Sequence, residues 1–309
     1  METFIQQVLN GLVLGSLYSL VALGYTMVYG ILNLINFAHG DVLMVGALTA
    51  LSTVLFLQAK FPELPGWLLL AAGMATAIPT CVVTSLIIER VAYRPLRNAP
   101  RLAPLITAIG VSIVLQTIAM IVWGRNYLTF PQLLPNEPLH VFGATITVTK
   151  LLVIVLSAAI MVGLMVLVNT TRLGRAMRAT AENPRVAGLM GVNPNYVIAL
   201  TFAIGAALAA VAGVMFAATY TVAHFYMGFL PGLKAFTAAV LGGIGNIPGA
   251  MVGGVLLGLI EALGAGYIGQ LTGGVFGSHY QDVFAFIVLC GVLILRPSGL
   301  LGERVAERA

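Results

Sequence analysis

The chain has 309 residues, 60% of them hydrophobic and only 8% charged, with a net charge of +5 and a mean hydropathy of +1.02. A soluble globule is about a quarter charged, so this chain cannot cover a water-facing surface and turns most of its exterior to lipid or protein. Its basic residues come in short bursts between apolar runs, a pattern of membrane topology that leaves no continuous phosphate-binding face and excludes nucleic acid as a partner.

Nine stretches approach the ~20 apolar residues that a membrane-crossing helix needs. They are Val8–Tyr29, Val42–Ala59, Trp67–Ile88, Leu102–Trp123, Leu151–Val168, Ala199–Thr221, Met227–Ile244, Ala250–Ile268 and Val283–Leu295. The seventh contains Lys234 and ends in glycines, and the ninth is short, so either suits a half-helix or re-entrant piece. The expectation is an all-α membrane protein of eight to ten transmembrane or re-entrant segments, in one domain over 1–309. No Lys or Arg precedes the long first run, so no cleavable signal peptide is expected. Cys81 and Cys290 lie in apolar segments without metal-ligand spacing and read as small packing residues.

Between the first two runs, Asn33-Leu-Ile-Asn-Phe-Ala-His-Gly-Asp41 carries Asn36, His39 and Asp41. Polar groups at membrane depth cost several kcal/mol unless paired or wetted. The stretch is either a cytoplasmic turn, in which His39 and Asp41 reach water, or an unwound segment lining a cavity; the turn is favoured.

Arginine sets the orientation. Arg90, Arg94, Arg97 and Arg101 crowd one loop, Arg172, Arg175, Arg178 and Arg185 another, and Arg296, Arg304 and Arg308 mark the tail. Even numbers of runs separate these clusters, so all fall on one side, which the positive-inside bias makes cytoplasmic. Asn126–Thr149 holds one acid and no Lys or Arg and reads as external, and the N-terminus comes out external on the same count.

The second cluster occupies the longest cytoplasmic loop, about 170–198. Arg175 and Arg178 with Ala176, Ala179 and Thr180 predict a short helix, which Asn183-Pro184 breaks or restarts. Glu182 closes the first part; Val186, Ala187, Leu189 and Met190 then make a small apolar stripe around Gly188, bounded by Gly191. A helix too short and polar to span, set between two spans, suits a docking surface and equally a solvated topological loop.

Further on, Gly242, Gly243, Gly245, Pro248 and Gly249 must break or bend a helix, and discontinuous helices in transporters often adjoin the solute route. Ala250, Gly254, Gly258, Ala262 and Gly266 recur every four residues, a small-residue ridge for close helix packing. Glu261 falls mid-span, where an isolated charge costs about 2.5–3.5 kcal/mol. Lys234, the one lysine well inside an apolar stretch, is its expected partner in a structural ion pair.

The absences bear on function. There is no G-x-x-x-x-G-K-[ST] loop to cradle ATP phosphates, no H-E-x-x-H, no paired-cysteine motif and no G-x-S-x-G. His39, His140, His224 and His279 are scattered, so neither a metal centre nor a nucleophile with its base is expected, and no cofactor. A self-sufficient channel or ion-coupled carrier would need acids and histidines along one path, for which Glu261, Asp282, His224 and His279 are the candidates.

Over nearly its whole length the chain resembles the LivH-type permeases of branched-chain amino acid ABC importers. The matching words are Gly24-Tyr-Thr-Met-Val-Tyr-Gly30, Asn36-Phe-Ala-His-Gly40, Ile88-Glu-Arg-Val-Ala-Tyr-Arg-Pro-Leu-Arg97, Gly174-Arg-Ala-Met-Arg178, the Lys234 to Gly254 stretch and Ile294-Leu-Arg-Pro-Ser-Gly-Leu-Leu-Gly302. The resemblance implies a polytopic helical ABC-importer permease in the bacterial inner membrane, itself no enzyme. It also implies a second related permease subunit, two cytoplasmic ATPases and a periplasmic amino-acid-binding protein. On the same grounds the Arg175 to Gly191 loop is the helix that docks on the ATPase, and leucine, isoleucine and valine are the solutes. Related permeases serve urea, amides or other amino acids, and that alternative stays open here.

Overall fold

The computed structural model describes residues 2–97, 99–100, 102–135, 137–141, 143–271 and 280–302. Arg101, His279, Arg304 and Arg308 of the sequence expectations lie outside the described residues. The helices in chain order are α1 (Glu2–Leu32), α2 (His39–Lys60), α3 (Gly66–Ile88), α4 (Leu102–Trp123), α5 (Val148–Thr170), α6 (Arg172–Glu182), α7 (Pro184–Leu189), α8 (Pro194–Tyr220), α9 (Phe229–Gly242), α10 (Ile247–Leu271) and α11 (Gln281–Leu295). A π-helical turn over Glu89–Tyr93 and a 3-10 turn over Arg94–Leu96 prolong α3. Strands β1 (Leu128–Thr129) and β4 (Val222–Ala223) pair antiparallel, as do β2 (Pro138–Val141) and β3 (Ala144–Thr147), with Leu139 opposite Ile146.

Among the described residues, α1, α2, prolonged α3, α4, α5, α8 and α10 are long and apolar enough to cross a bilayer, while α9 and α11 are shorter apolar helices. Most helices run a few residues beyond the apolar windows, because polar ends such as Glu2, His39 and Lys60 continue the backbone ladder.

The centre of the bundle is α1, buried almost all round from Gly11 to Val28. Its neighbours come close because both surfaces are small. The four-residue ridge of α10 lies on it: an added Cβ at Gly254 would stand 2.6 Å from Ser19 Cα, and one at Gly258 2.4 Å from Gly15 Cα. Ser19 Oγ donates to the Met251 carbonyl at 2.8 Å across the same seam. Such near contact of backbones is what holds membrane helices together where lipid is as apolar as leucine. By contrast α4 buries only a narrow face, Pro104, Ala108, Ser112 and Ala119. Cys81 is buried, whereas Cys290 is exposed on α11 and so does not pack inside this chain as expected.

The start of α2 corrects another expectation. The chain does turn over residues 33–38, but His39 and Asp41 are 2% and 1% exposed and do not reach water. His39 packs on Gly24, eight residues before the end of α1 at Leu32, so α2 begins about 12 Å along that helix from its end. Room for this comes from missing side chains: an added Cβ at Gly24 would stand 2.1 Å from His39 Nε2, and one at Gly40 would stand 2.5 Å from the Gly228 carbonyl oxygen. Helix α9 starts at the same depth, where Gly232 meets Gly40.

The two ends of the bundle differ chemically. Gln6 of α1 donates to the Thr145 carbonyl at 3.0 Å, putting the N-terminal end of α1 beside the β2–β3 hairpin. At the other end Arg97 donates to Asn195 Oδ1, joining the first arginine cluster to the start of α8. The tail after Arg296 reaches the end of α9, with Leu300 N–H donating to the Leu241 carbonyl at 2.9 Å. The described arginines of all three clusters thus gather at one end, opposite the hairpin.

Candidate functional site

At the arginine-rich end α6 and α7 form a bracket. Thr171 Oγ1 accepts the Gly174 N–H at 3.1 Å and caps α6. Asn183 Oδ1 accepts from Arg185 N at 3.0 Å and Val186 N at 3.1 Å, and Pro184 fills the first position of α7, so one dipeptide ends α6 and starts α7. Glycine at 174 is required: a Cβ there would stand 1.9 Å from the Val168 carbonyl oxygen.

Arg175 and Arg178 turn back on this bracket rather than out of it. Arg175 Nη1 donates to the Thr170 carbonyl at 3.3 Å, and Arg178 Nη1 donates to the Val168 carbonyl. Both satisfy carbonyls that the end of α5 leaves without helical partners. What faces outward is Glu182 and an apolar tip, with Leu189 83% and Met190 80% exposed. Ala187 is the buried member of the expected stripe. Gly188 has open space around it, and Gly191 takes φ +85°, a left-handed conformation that ends the bracket.

Behind the bracket lies the helix break. Helix α9 ends at Gly242, Gly243 and Gly245 take φ of +107° and +95°, and α10 restarts at Ile247 with Pro248 in its first turn. Asn246 Oδ1 accepts the Gly249 N–H at 3.0 Å, and its Nδ2 donates to the Leu301 carbonyl at 2.8 Å. This elbow sits at the arginine-rich end and not at mid-depth. Met177, Arg178 and Ala181 share a cavity of about 90 Å³ with Gly30, Gly245 and Ile247, so α6 packs on the end of α1 and faces the elbow across this cavity.

Asn36 and His39 are packed inside the bundle. Asn36 Oδ1 accepts from the Tyr93 hydroxyl at 2.9 Å, and the His39 ring lies edge-on to Tyr25 with centroids 4.9 Å apart. Asp41, in the first turn of α2, accepts from Gln116 Nε2 at 2.9 Å. Two further polar pairs escaped the sequence reading: Glu89 with Arg97, and Gln116 with Asp41. Glu89 and Arg97 are 8 positions apart and Asp41 and Gln116 75, and neither is the i, i+3 or i+4 spacing that signals a pair along one helix.

Toward the other end, Lys234 of α9 meets Glu261 of α10 and also stands 2.7 Å from Asp282 of α11. Lys234 and Glu261 line a cavity of about 600 Å³. His224 is on its wall, while its ring nitrogen is bonded to the Arg125 carbonyl oxygen at 3.0 Å.

Comparison with known proteins agrees with this architecture. The family described as "Branched-chain amino acid transport system / permease component" matches residues 7–293. The chain is 45% identical over 309 residues to the high-affinity branched-chain amino acid transport system permease protein LivH of Escherichia coli K12, covering 99% of this chain and 97% of that one. It is 48% identical over 311 residues to the permease protein BraD of the corresponding Pseudomonas aeruginosa system, covering 99% and 98%. A probable LivH of Methanocaldococcus jannaschii is 29% identical over 298 residues, covering 96% and 92%. No solved structure matches. The helices and these relatives together make this a multi-pass membrane protein, and the chain belongs to the branched-chain amino acid transport system permease family.

Proposed function

We propose that this chain is the permease subunit of an ATP-driven importer that carries leucine, isoleucine and valine across the bacterial inner membrane by alternating access. The names and full-length identity of the LivH and BraD relatives support the solute class. In this reading the whole of 1–309 is one transmembrane domain whose α9 and α11 join the seven long helices, within a range of eight to ten membrane segments. The arginine-rich end is cytoplasmic and the β2–β3 hairpin periplasmic. A second related permease completes the membrane part, two cytoplasmic ATPases hydrolyse the nucleotide, and a periplasmic binding protein delivers the solute.

The observation that carries the mechanism is the exposed apolar tip of α7 on the arginine-rich end. Closure of the ATPase dimer pushes on this tip, and α6 passes the movement to the end of α1, on which it packs, and toward the Gly242–Gly249 elbow across the cavity they share. A two-state element biased by nucleotide is what alternating access requires. Glu182→Lys and Gly188→Trp test the docking. Open space at Gly188 lets the indole in without disturbing the chain's own packing. Both variants are expected to reach the membrane, hydrolyse ATP with their partners and import roughly tenfold less, the scale of losing an interface hot spot. Unchanged import by both removes the docking assignment, and import driven by an ion gradient without ATP makes the protein a carrier of another class. The ligand retained by the cognate binding protein decides between branched-chain amino acids and another solute such as urea, an amide or a different amino acid.

A further inference from the structure

The cavity above Lys234 is built from two unlike halves. Its floor is Lys234 and Glu261, and Asp282, which is not part of the cavity wall, backs Lys234 at 2.7 Å, so the cluster carries one negative charge in excess. Glu261 is 2% exposed, and while its Oε1 takes Lys234, its Oε2 accepts no hydrogen bond among the described residues, although Tyr18 flanks the pair. A buried carboxylate oxygen without a donor costs stability, and at a cavity wall that cost marks a place where a donor from outside belongs.

The walls are aromatic and aliphatic. Phe216 and Tyr220 lie with ring centroids 4.5 Å apart, Tyr127 stacks on His224 at 4.2 Å, and Leu14 and Leu230 complete the apolar side. Tyr127, Tyr220, Tyr226 and Leu230 are exposed and ring the mouth. At about 600 Å³ the space falls within the usual range for small-molecule sites. Aromatic faces also attract ammonium groups.

From this the geometry points to a solute-binding station in the permease itself. It takes an amino acid with an apolar side chain: the α-ammonium donates to Glu261 Oε2, the α-carboxylate meets Lys234, and the side chain lies against Phe216, Tyr220 and Leu230. The inference deepens the importer reading and rests on it. Sequence alone suggested a purely structural Lys234–Glu261 pair; the third charge and the cavity give the cluster something to bind.

The test uses the complete importer in proteoliposomes, carrying Leu230→Cys in a Cys290→Ser background and exposed on the outer side to a membrane-impermeant thiol reagent. Leucine should slow the labelling of residue 230, 3-methylbutylamine (leucine without its carboxylate) should slow it less, and 4-methylpentanoate (leucine without its ammonium) should leave it unchanged. Glu261→Gln should raise the leucine concentration for half-protection about 10- to 100-fold, the loss expected for one charged hydrogen bond. Should that variant fail to assemble, Asp282→Asn, which removes the excess negative charge behind Lys234, should still raise it severalfold. Failure of the reagent to reach residue 230, absence of protection, or equal protection by 4-methylpentanoate overturns the station. ATP-dependent leucine uptake, read in the same vesicles, keeps the two readings apart. Uptake without protection overturns the station alone, and absence of ATP-dependent uptake by the unsubstituted importer overturns the importer reading beneath it.

Discussion

Gly258 and Lys234 show how much single residues decide in a bundle without water. A side chain at 258 would have to enter the backbone of α1, since its Cβ would stand 2.2 Å from Gly15 N. Gly258→Leu should therefore fail to accumulate in the membrane, whereas Gly163→Leu, with nothing within 4 Å of its Cβ, should accumulate normally; immunoblots of membrane fractions compare them. Lys234→Met removes the cation from a buried carboxylate, a change that costs about 3–5 kcal/mol when one partner of a buried pair is lost. Its thermal midpoint in detergent should fall well below that of Asp282→Asn, because the Asp282 side chain is partly exposed. At this scale the sequence was legible where chemistry leaves few choices: a mid-span acid needs a cation, and one lysine stood inside an apolar run. It was silent where many partners would serve. Nothing near Asn36 names Tyr93, 57 positions away, and nothing near Asp41 names Gln116, 75 positions away.

Helices and turns were read best where caps mark them. Thr171, Asn183 and Pro184 delimit the bracket because each solves a local problem of unpaired N–H groups, and local problems are written locally. With six residues, α7 is too short to persist by itself. Asn183→Ala should remove about 1 kcal/mol of capping, speed amide exchange at Arg185 and Val186, and lower import while ATP hydrolysis continues; unaltered exchange would show that the cap does not hold α7. The start of α2 was misread for the opposite reason. The apolar pattern opens at Val42, yet the helix opens at His39, because Gly24, Gly40 and Gly228 clear a space that only the assembled bundle reveals. A polar stretch that looks wet from its composition is dry once Gly24 of α1 and Gly228 before α9 let the neighbouring backbone close over it.

For the molecule as a whole, the chemical asymmetry of its two ends translates into sidedness. In a Cys290→Ser background, His140→Cys on β2 should react with an impermeant thiol reagent in intact cells, while Leu189→Cys should react only after the membrane is opened; the reverse pattern would invert the topology. The arginine clusters made the gathering of charge at one end legible, since a charge bias along the chain is additive and survives errors in any one segment. The cavity above Lys234 was not legible: α9 and α10 showed their charges, but the walls come from α1, α8 and the loops beside them, whose convergence no single segment signals. The pairing of Leu300 and Leu301 N–H groups with the carbonyls of Leu241 and Gly242, at 2.9 Å each, carries a consequence for biosynthesis. A ribosome delivers the chain from its N-terminus, so those carbonyls wait through the synthesis of α10 and α11 for residues made after both helices. A nascent chain stalled at Arg296 would therefore sit in the membrane with the end of α9 still unfastened.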